Sequence, residues 1–294
     1  MKIHDLFQIE GASVEETLHW ANDIAGLDIK HLRSCLVSCG EFCKLCLSLS
    51  EYYEQNLSSV CKMIENGEGD PVVNQKRLSL LETGKRANNV TGYLTLLQMD
   101  AMMSLINMME AQTDVERLVA CKHAYTIIYE AKIKGLFQVI SKEMNDLPEE
   151  ILSASERKGL WSSIKEVVRK MISEEEAEQV RNSIDAHKDS SFTKQIDAYN
   201  VCDFSWCFAS MYALTELVWI LQQAMGIVRR NIGKLEARCL QVALKTAAAH
   251  ASAICSRLSA PITRALLMKK ASATISKMPA LRADHARACI RQIP

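Results

Sequence analysis

The 294-residue chain holds little glycine and proline, 11 and 5 residues, and only 6% aromatics. Sandwiches and barrels need many turns, so this composition disfavours them. Alternating apolar–polar runs of strand length are missing as well. No run of eighteen uncharged apolar residues occurs; the nearest approach, FSWCFASMYALTELVWILQQAM, carries Glu216 and follows Asp203, so no membrane span is expected. The opening MKIHDLFQIEGASVEE shows no apolar h-region of a secretory signal. The eleven cysteines therefore read as free thiols of a cytoplasmic protein, not as a disulfide framework. Gly-rich phosphate loops, G-x-S-x-G and H-E-x-x-H are absent, which removes support for P-loop nucleotide hydrolysis and the common hydrolase chemistries. No cofactor is expected.

What is present is helical. Apolar residues make up 48% of the chain, enough for a sizeable core. Ser13 with Glu16, Thr113 with Glu116 and Ser173 with Glu176 have capping-box spacing, each marking a helix start. Long segments run over about 28–65 and 71–111, the second with a break expected near ETGKRANNVTG. The helix opened by Thr113 extends to about Lys142, and NDLPEE is a turn. In 154–172, Leu160, Ile164, Val167, Val168, Met171 and Ile172 share one face. From near Asp203 a helix of about 30 residues carries the ridge Phe204, Phe208, Met211, Leu214, Val218 and Leu221. A separate helix is expected over 234–256, and Pro261 starts another. The fold class is all-α: a helical bundle over 90–231, with an N-terminal helical region 1–89 and a basic, Ala-rich C-terminal region 232–294.

Two side-chain clusters have plain packing explanations. Cys35, Cys39, Cys43 and Cys46 face one way, but a row spanning roughly 16 Å cannot close around one tetrahedral ion. They read as small buried apolar residues, and no metal site is expected. Met99, Met102, Met103, Met108 and Met109 likewise read as core.

Formal net charge is zero, yet Gly226–Pro294 holds 13 Lys+Arg against only Glu236 and Asp284. The rest of the chain is correspondingly acidic. Such asymmetry points to a basic arm for nucleic acid or a membrane surface, or to a tail folded on the acidic body.

The stretch EEEAEQVRNSIDAHKDSS, residues 174–191, sets Arg181 and Asn182 before His187. With five residues between arginine and histidine, and a polar residue after the arginine, it resembles the R-x(4–6)-H motif of the HEPN superfamily. VRNSIDAHKD is similar to the versions in abortive-infection and toxin-like members. Helices near 91–111, 114–142, 154–172, 174–187 and 203–231 follow the family's order. The spacing recurs at Arg117 and His123, but there Leu118 follows the arginine and the segment lies mid-helix.

The resemblance implies a metal-independent endoribonuclease, a toxin or phage-defence effector in which the RNA 2′-hydroxyl attacks its own phosphate. His187 would move the proton, and Arg181 would stabilise the phosphorane with forked donors. Asn182 would bind phosphate or orient the imidazole, and Asp189 would orient His187 or begin the turn. On an ideal helix Arg181 and His187 stand about 120° apart and about 9 Å along the axis. Either the helix ends before His187, or a second chain completes the site; the resemblance implies a homodimer. Arg229, Arg230, Lys234 and Arg238 are candidates for holding RNA backbone, and a restraining antitoxin-like partner is expected. The alternative from another class is a non-catalytic helical interaction protein with Arg181 and His187 as structural residues.

Overall fold

A computed structural model describes residues 12–24, 27–131, 140, 142, 144–168, 171, 173–182 and 202–257. Among these the protein is all-α and carries no strand. The elements are α1 (Val14–His19, continued by a π-turn over Trp20–Ile24), α2 (Ile29–Glu65), α3 (Pro71–Glu110), α4 (Asp114–Ala131), α5 (Ala154–Val168), α6 (Glu174–Val180) and α7 (Phe204–Arg257). The expected helices after Pro261 and the segment around His187 lie outside the described residues.

Two compact units are present. One takes the chain up to Asn56 together with Leu81–Gly233; the other takes Leu57–Leu80 and the chain from Lys234.

In the first unit α2 and α3 run antiparallel. Arg33 meets Glu110 at 2.6 Å at one end, and Lys85 meets Glu54 at 3.1 Å at the other. Between them Asn88 Nδ2 donates to the Cys46 carbonyl at 2.8 Å. Helix α7 runs beside both: Gln222 Nε2 donates to Thr95 Oγ1 at 3.0 Å, and the Arg229 guanidinium lies 5.5 Å from the Phe42 ring centre. The expected ridge of α7 is the centre of the core. Phe208, Met211, Leu214, Val218 and Leu221 are all buried, while Phe204, one turn earlier, is half-exposed. Trp20 packs edge-on against Tyr212 of this helix, ring centres 5.9 Å apart.

All three expected capping boxes form. Ser13 and Glu16 bond reciprocally, as do Thr113 with Glu116 and Ser173 with Glu176. A fourth, Ser153 with Glu156, opens α5. Ahead of it the guanidinium of Arg157 donates to the carbonyls of Asn145 and Leu147, both at 3.0 Å, which closes the NDLPEE turn.

Three expectations are corrected. Helix α3 does not break at ETGKRANNVTG but runs unbroken to Glu110. Its buried Thr91 and Thr95 hydroxyls donate to the carbonyls of Ala87 and Thr91 within the helix, so these polar residues enter the interior satisfied. Helix α7 does not stop at Gly233; it continues to Arg257, with Ile232 and Leu235 buried on either side of the glycine. One helical glycine costs about 1 kcal/mol, which flanking burial of this kind offsets. The methionines are not uniformly core: Met102 and Met108 are buried, but Met103 is 46% exposed.

Gly84 shows why the α3 glycine is there. A Cβ on it would stand 2.5 Å from Cε1 of the buried Tyr53 ring. Gly84→Ala is expected to destabilise the protein by about 1–3 kcal/mol through overpacking. Gly159→Ala in α5, where a Cβ meets nothing within 4 Å, is expected to stabilise by about 0.5–1 kcal/mol. Denaturant midpoints of the two variants check the pair.

In the second unit α2 ends in a Schellman turn. Gly67 has φ +65°, its N–H bonds the Ile64 carbonyl at 3.1 Å, and the Glu68 N–H bonds Met63 at 2.8 Å. Asp70 then caps α3 through the N–H of Val72 at 2.8 Å, with Pro71 at the first helical position.

By length and composition Phe204–Val242 is apolar enough to cross a membrane, and 72% of its most apolar stretch is buried inside the protein. Glu216 sits half-buried on this helix, and burial pushes its carboxyl above the ordinary value. A raised folded value means the folded state holds the proton more tightly. The charged form therefore costs stability, increasingly as pH rises through that value. Glu216→Gln is expected to raise the unfolding temperature at pH 7. That gain should vanish below about pH 4.3, where an unfolded glutamate is also protonated.

Candidate functional site

Arg181 is placed by two helices. The Ser173–Glu176 box starts α6, and Ala177 and Val180, both fully buried, fix its inner face. Arg181 caps the end of this helix with helical dihedrals, its N–H directed to the carbonyls of Ala177 and Glu178. One terminal guanidinium nitrogen donates to Glu130 Oε1 of α4 at 3.1 Å. The other donates to Asn182 Oδ1 at 3.2 Å. The guanidinium carbon lies 4.9 Å from the centre of the Tyr129 ring. About a quarter of the Arg181 side chain remains exposed, against 56% for Glu130. Arg181 is thus held by a carboxylate, an amide and an aromatic ring.

Asn182 accepts from Arg181 instead of standing apart from it. His187 and Asp189 lie outside the described residues. At the second site with this spacing, Arg117 donates to Asp114 at 3.0 Å within α4. His123, on the same helix, is exposed and near Asp100, whose carboxyl burial raises and this imidazole lowers.

The four basic candidates separate. Arg229 is half-buried in the first unit, over Phe42 and against the Cys46 thiol. Burial pushes that thiol up, and the guanidinium pulls it partly back. Arg230 is exposed. In the second unit Lys234 and Arg238 are exposed, and Lys245 joins them, a residue sequence reading passed over. At 100° per residue these three fall within about 40° of one another, over about 16 Å of helix axis. Gln241 lies in the same stripe and is exposed. Leu235, Glu236 and Cys239 are buried, so the one carboxylate of this segment faces away from the stripe. Among the described residues no carboxylate pairs with Lys234, Arg238 or Lys245.

Nine of the described cysteines, from Cys35 to Cys239, are free thiols. Cys46 is buried, while Cys35, Cys39 and Cys43 are half-buried, so the row is only partly core. Burial pushes Cys39 up to about 11 and Cys202 up to about 12, which makes both poor nucleophiles. No three His, Cys, Asp or Glu gather for a metal among the described residues. A shallow cleft in the first unit is lined chiefly by Val90, Ile140, Met144, Met225 and Val228; at about 20 Å³ it has room for little more than a water.

No protein-family model matches the chain, and no curated protein or solved structure matches it.

Proposed function

We propose that the chain is a non-catalytic, cytoplasmic helical protein that binds RNA through the exposed basic stripe of α7, with Arg181 serving as a packing strut. The observation that carries this reading is the stripe itself. Lys234, Arg238 and Lys245 are exposed, aligned and without a carboxylate partner among the described residues. Cations spaced along a rod suit an extended polyanion. The centre of the stripe is polar, and its apolar neighbours Val242 and Leu244 lie at its edges. That arrangement favours a phosphate backbone over a lipid surface, into which apolar side chains at the centre would insert. The experiment is titration of the whole chain with a fluorescent single-stranded RNA at several salt concentrations. Binding that weakens as salt rises is the expected result. Binding to anionic phospholipid vesicles without binding to RNA would overturn the reading.

A second reading is the HEPN-type ribonuclease. One observation favours it: Arg181 and Asn182 sit side by side at the end of α6, with the guanidinium reaching solvent. In this reading two chains bring their motifs together, His187 moves the proton, and a separate partner restrains the activity. The triple engagement of Arg181 weighs the other way. A guanidinium already paired with Glu130 must give up that carboxylate before it can grip a phosphate.

A further inference from the structure

Helix α3 turns one narrow row of side chains to solvent. From Arg86 to Glu110 every exposed residue falls on that row, and the steps along it alternate between three and four residues. This is a seven-residue repeat, the spacing at which a second helix packs alongside at a shallow angle. The middle of the row is largely apolar: Tyr93 is 44% exposed, Leu96 54% and Met103 46%. On α4, Val119 is also exposed and stands one turn from His123, which lies near Asp100 of the row.

The row complements itself. Set antiparallel to another α3 about its midpoint, Arg86 comes opposite Glu110 and Asn89 opposite Asn107. In the same register Tyr93 meets Met103, and Leu96 meets Asp100. A twofold axis makes each pair occur twice, so cation meets carboxylate at both ends, amide meets amide, and an aromatic ring meets a thioether. We infer that two copies of this chain associate through α3, antiparallel, along this row. Glu110 can serve both chains: Oε1 accepts from Arg33 at 2.6 Å, which leaves Oε2 for the second copy's Arg86. Arg86 also has an interaction within its own chain, and a guanidinium has several donors to share. The two Asp100 carboxylates flank the axis, each with His123 of its own chain nearby. An acid at the centre of the row does not suit a lipid surface, and an unrelated helix gains nothing from ends that complement each other. The row is about 36 Å long, and at a helix width of about 10 Å each copy buries on the order of 400 Å², the size of a weak interface. The pairing rests on α3 and needs neither Arg181 nor the α7 stripe.

Sedimentation velocity of the full-length protein at micromolar concentrations is expected to show a monomer–dimer equilibrium. Arg86→Glu and Glu110→Arg each raise the dissociation constant roughly tenfold or more, because each sets like charges opposite one another twice. An equimolar mixture of these two variants recovers the affinity of the unmodified chain, since every arginine again meets a glutamate. Met103→Glu, at an exposed position, weakens the dimer as well, while Val37→Glu on the exposed face of α2 leaves it unchanged. Circular dichroism checks that each variant is folded; should Glu110→Arg fail to fold beside Arg33, Arg86→Glu and Met103→Glu carry the test. A monomer at every concentration, a dimer indifferent to Arg86→Glu or Met103→Glu, or no recovery in a mixture of folded variants overturns the pairing.

Discussion

The triple variant Lys234→Ala, Arg238→Ala, Lys245→Ala is expected to lose most of the salt-dependent part of RNA binding. Each phosphate contact to a single strand releases counterions and contributes about 0.7 to the slope of log affinity against log salt. Three contacts contribute about 2. From 50 to 200 mM salt they make the affinity of the unmodified chain fall roughly twentyfold, a fall the variant should not show. All three positions are exposed on α7, and alanine is the best helix former, so the helix survives the change. Arg229→Ala is the control. That guanidinium lies over Phe42 inside the first unit, so its loss should lower stability and leave the salt slope unaltered. Electrophoretic or fluorescence titration at four salt concentrations reads both variants.

Arg181→Ala is expected to destabilise the protein by about 1–2 kcal/mol. The ion pair with Glu130 is partly exposed and contributes no more than about 1 kcal/mol. The contact with Tyr129 adds about 0.5–1 kcal/mol. At this chain length the unfolding temperature should fall by roughly 2–4 °C per kcal/mol. Arg181→Lys should fall between the two, because an ammonium keeps the charge but loses the fork and the flat face. A catalytic arginine behaves differently. Its removal would also abolish RNA cleavage in EDTA, and His187→Ala would do the same.

How much of this was legible in the sequence differs from feature to feature. Local chemistry read well. Three serine or threonine caps, each with a glutamate three residues on, marked three helix starts, because both partners of a capping box lie within one turn. The ridge from Phe208 to Leu221 was visible as period-3.6 burial. Punctuation by glycine and polar residues misled at ETGKRANNVTG. What rescues that helix is the space Gly84 leaves for Tyr53, a residue thirty-one positions earlier, and the donation of Asn88 to Cys46. Gly233 misled as well: nothing lies within 4 Å of a Cβ placed there, and the helix continues with Ile232 and Leu235 buried on either side.

The candidate site was legible only in part. Arg181 was singled out by its spacing to His187, but its partners Glu130 and Tyr129 lie some fifty residues back, and no local signal pairs them. Arg229 looked like its neighbour Arg230; one helical step of about 100° separates a half-buried position from an exposed one. Lys245 has a local signal: at 100° per residue it continues the stripe of Lys234 and Arg238.

The central claim is that this chain holds RNA and does not cut it. Long mixed-sequence RNA, incubated with the full-length protein in EDTA at low salt, is recovered from the bound fraction and sized on a denaturing gel. The account predicts retained RNA of unchanged length. Fragments ending in 2′,3′-cyclic phosphate that disappear in His187→Ala, or no retained RNA at all, would contradict it.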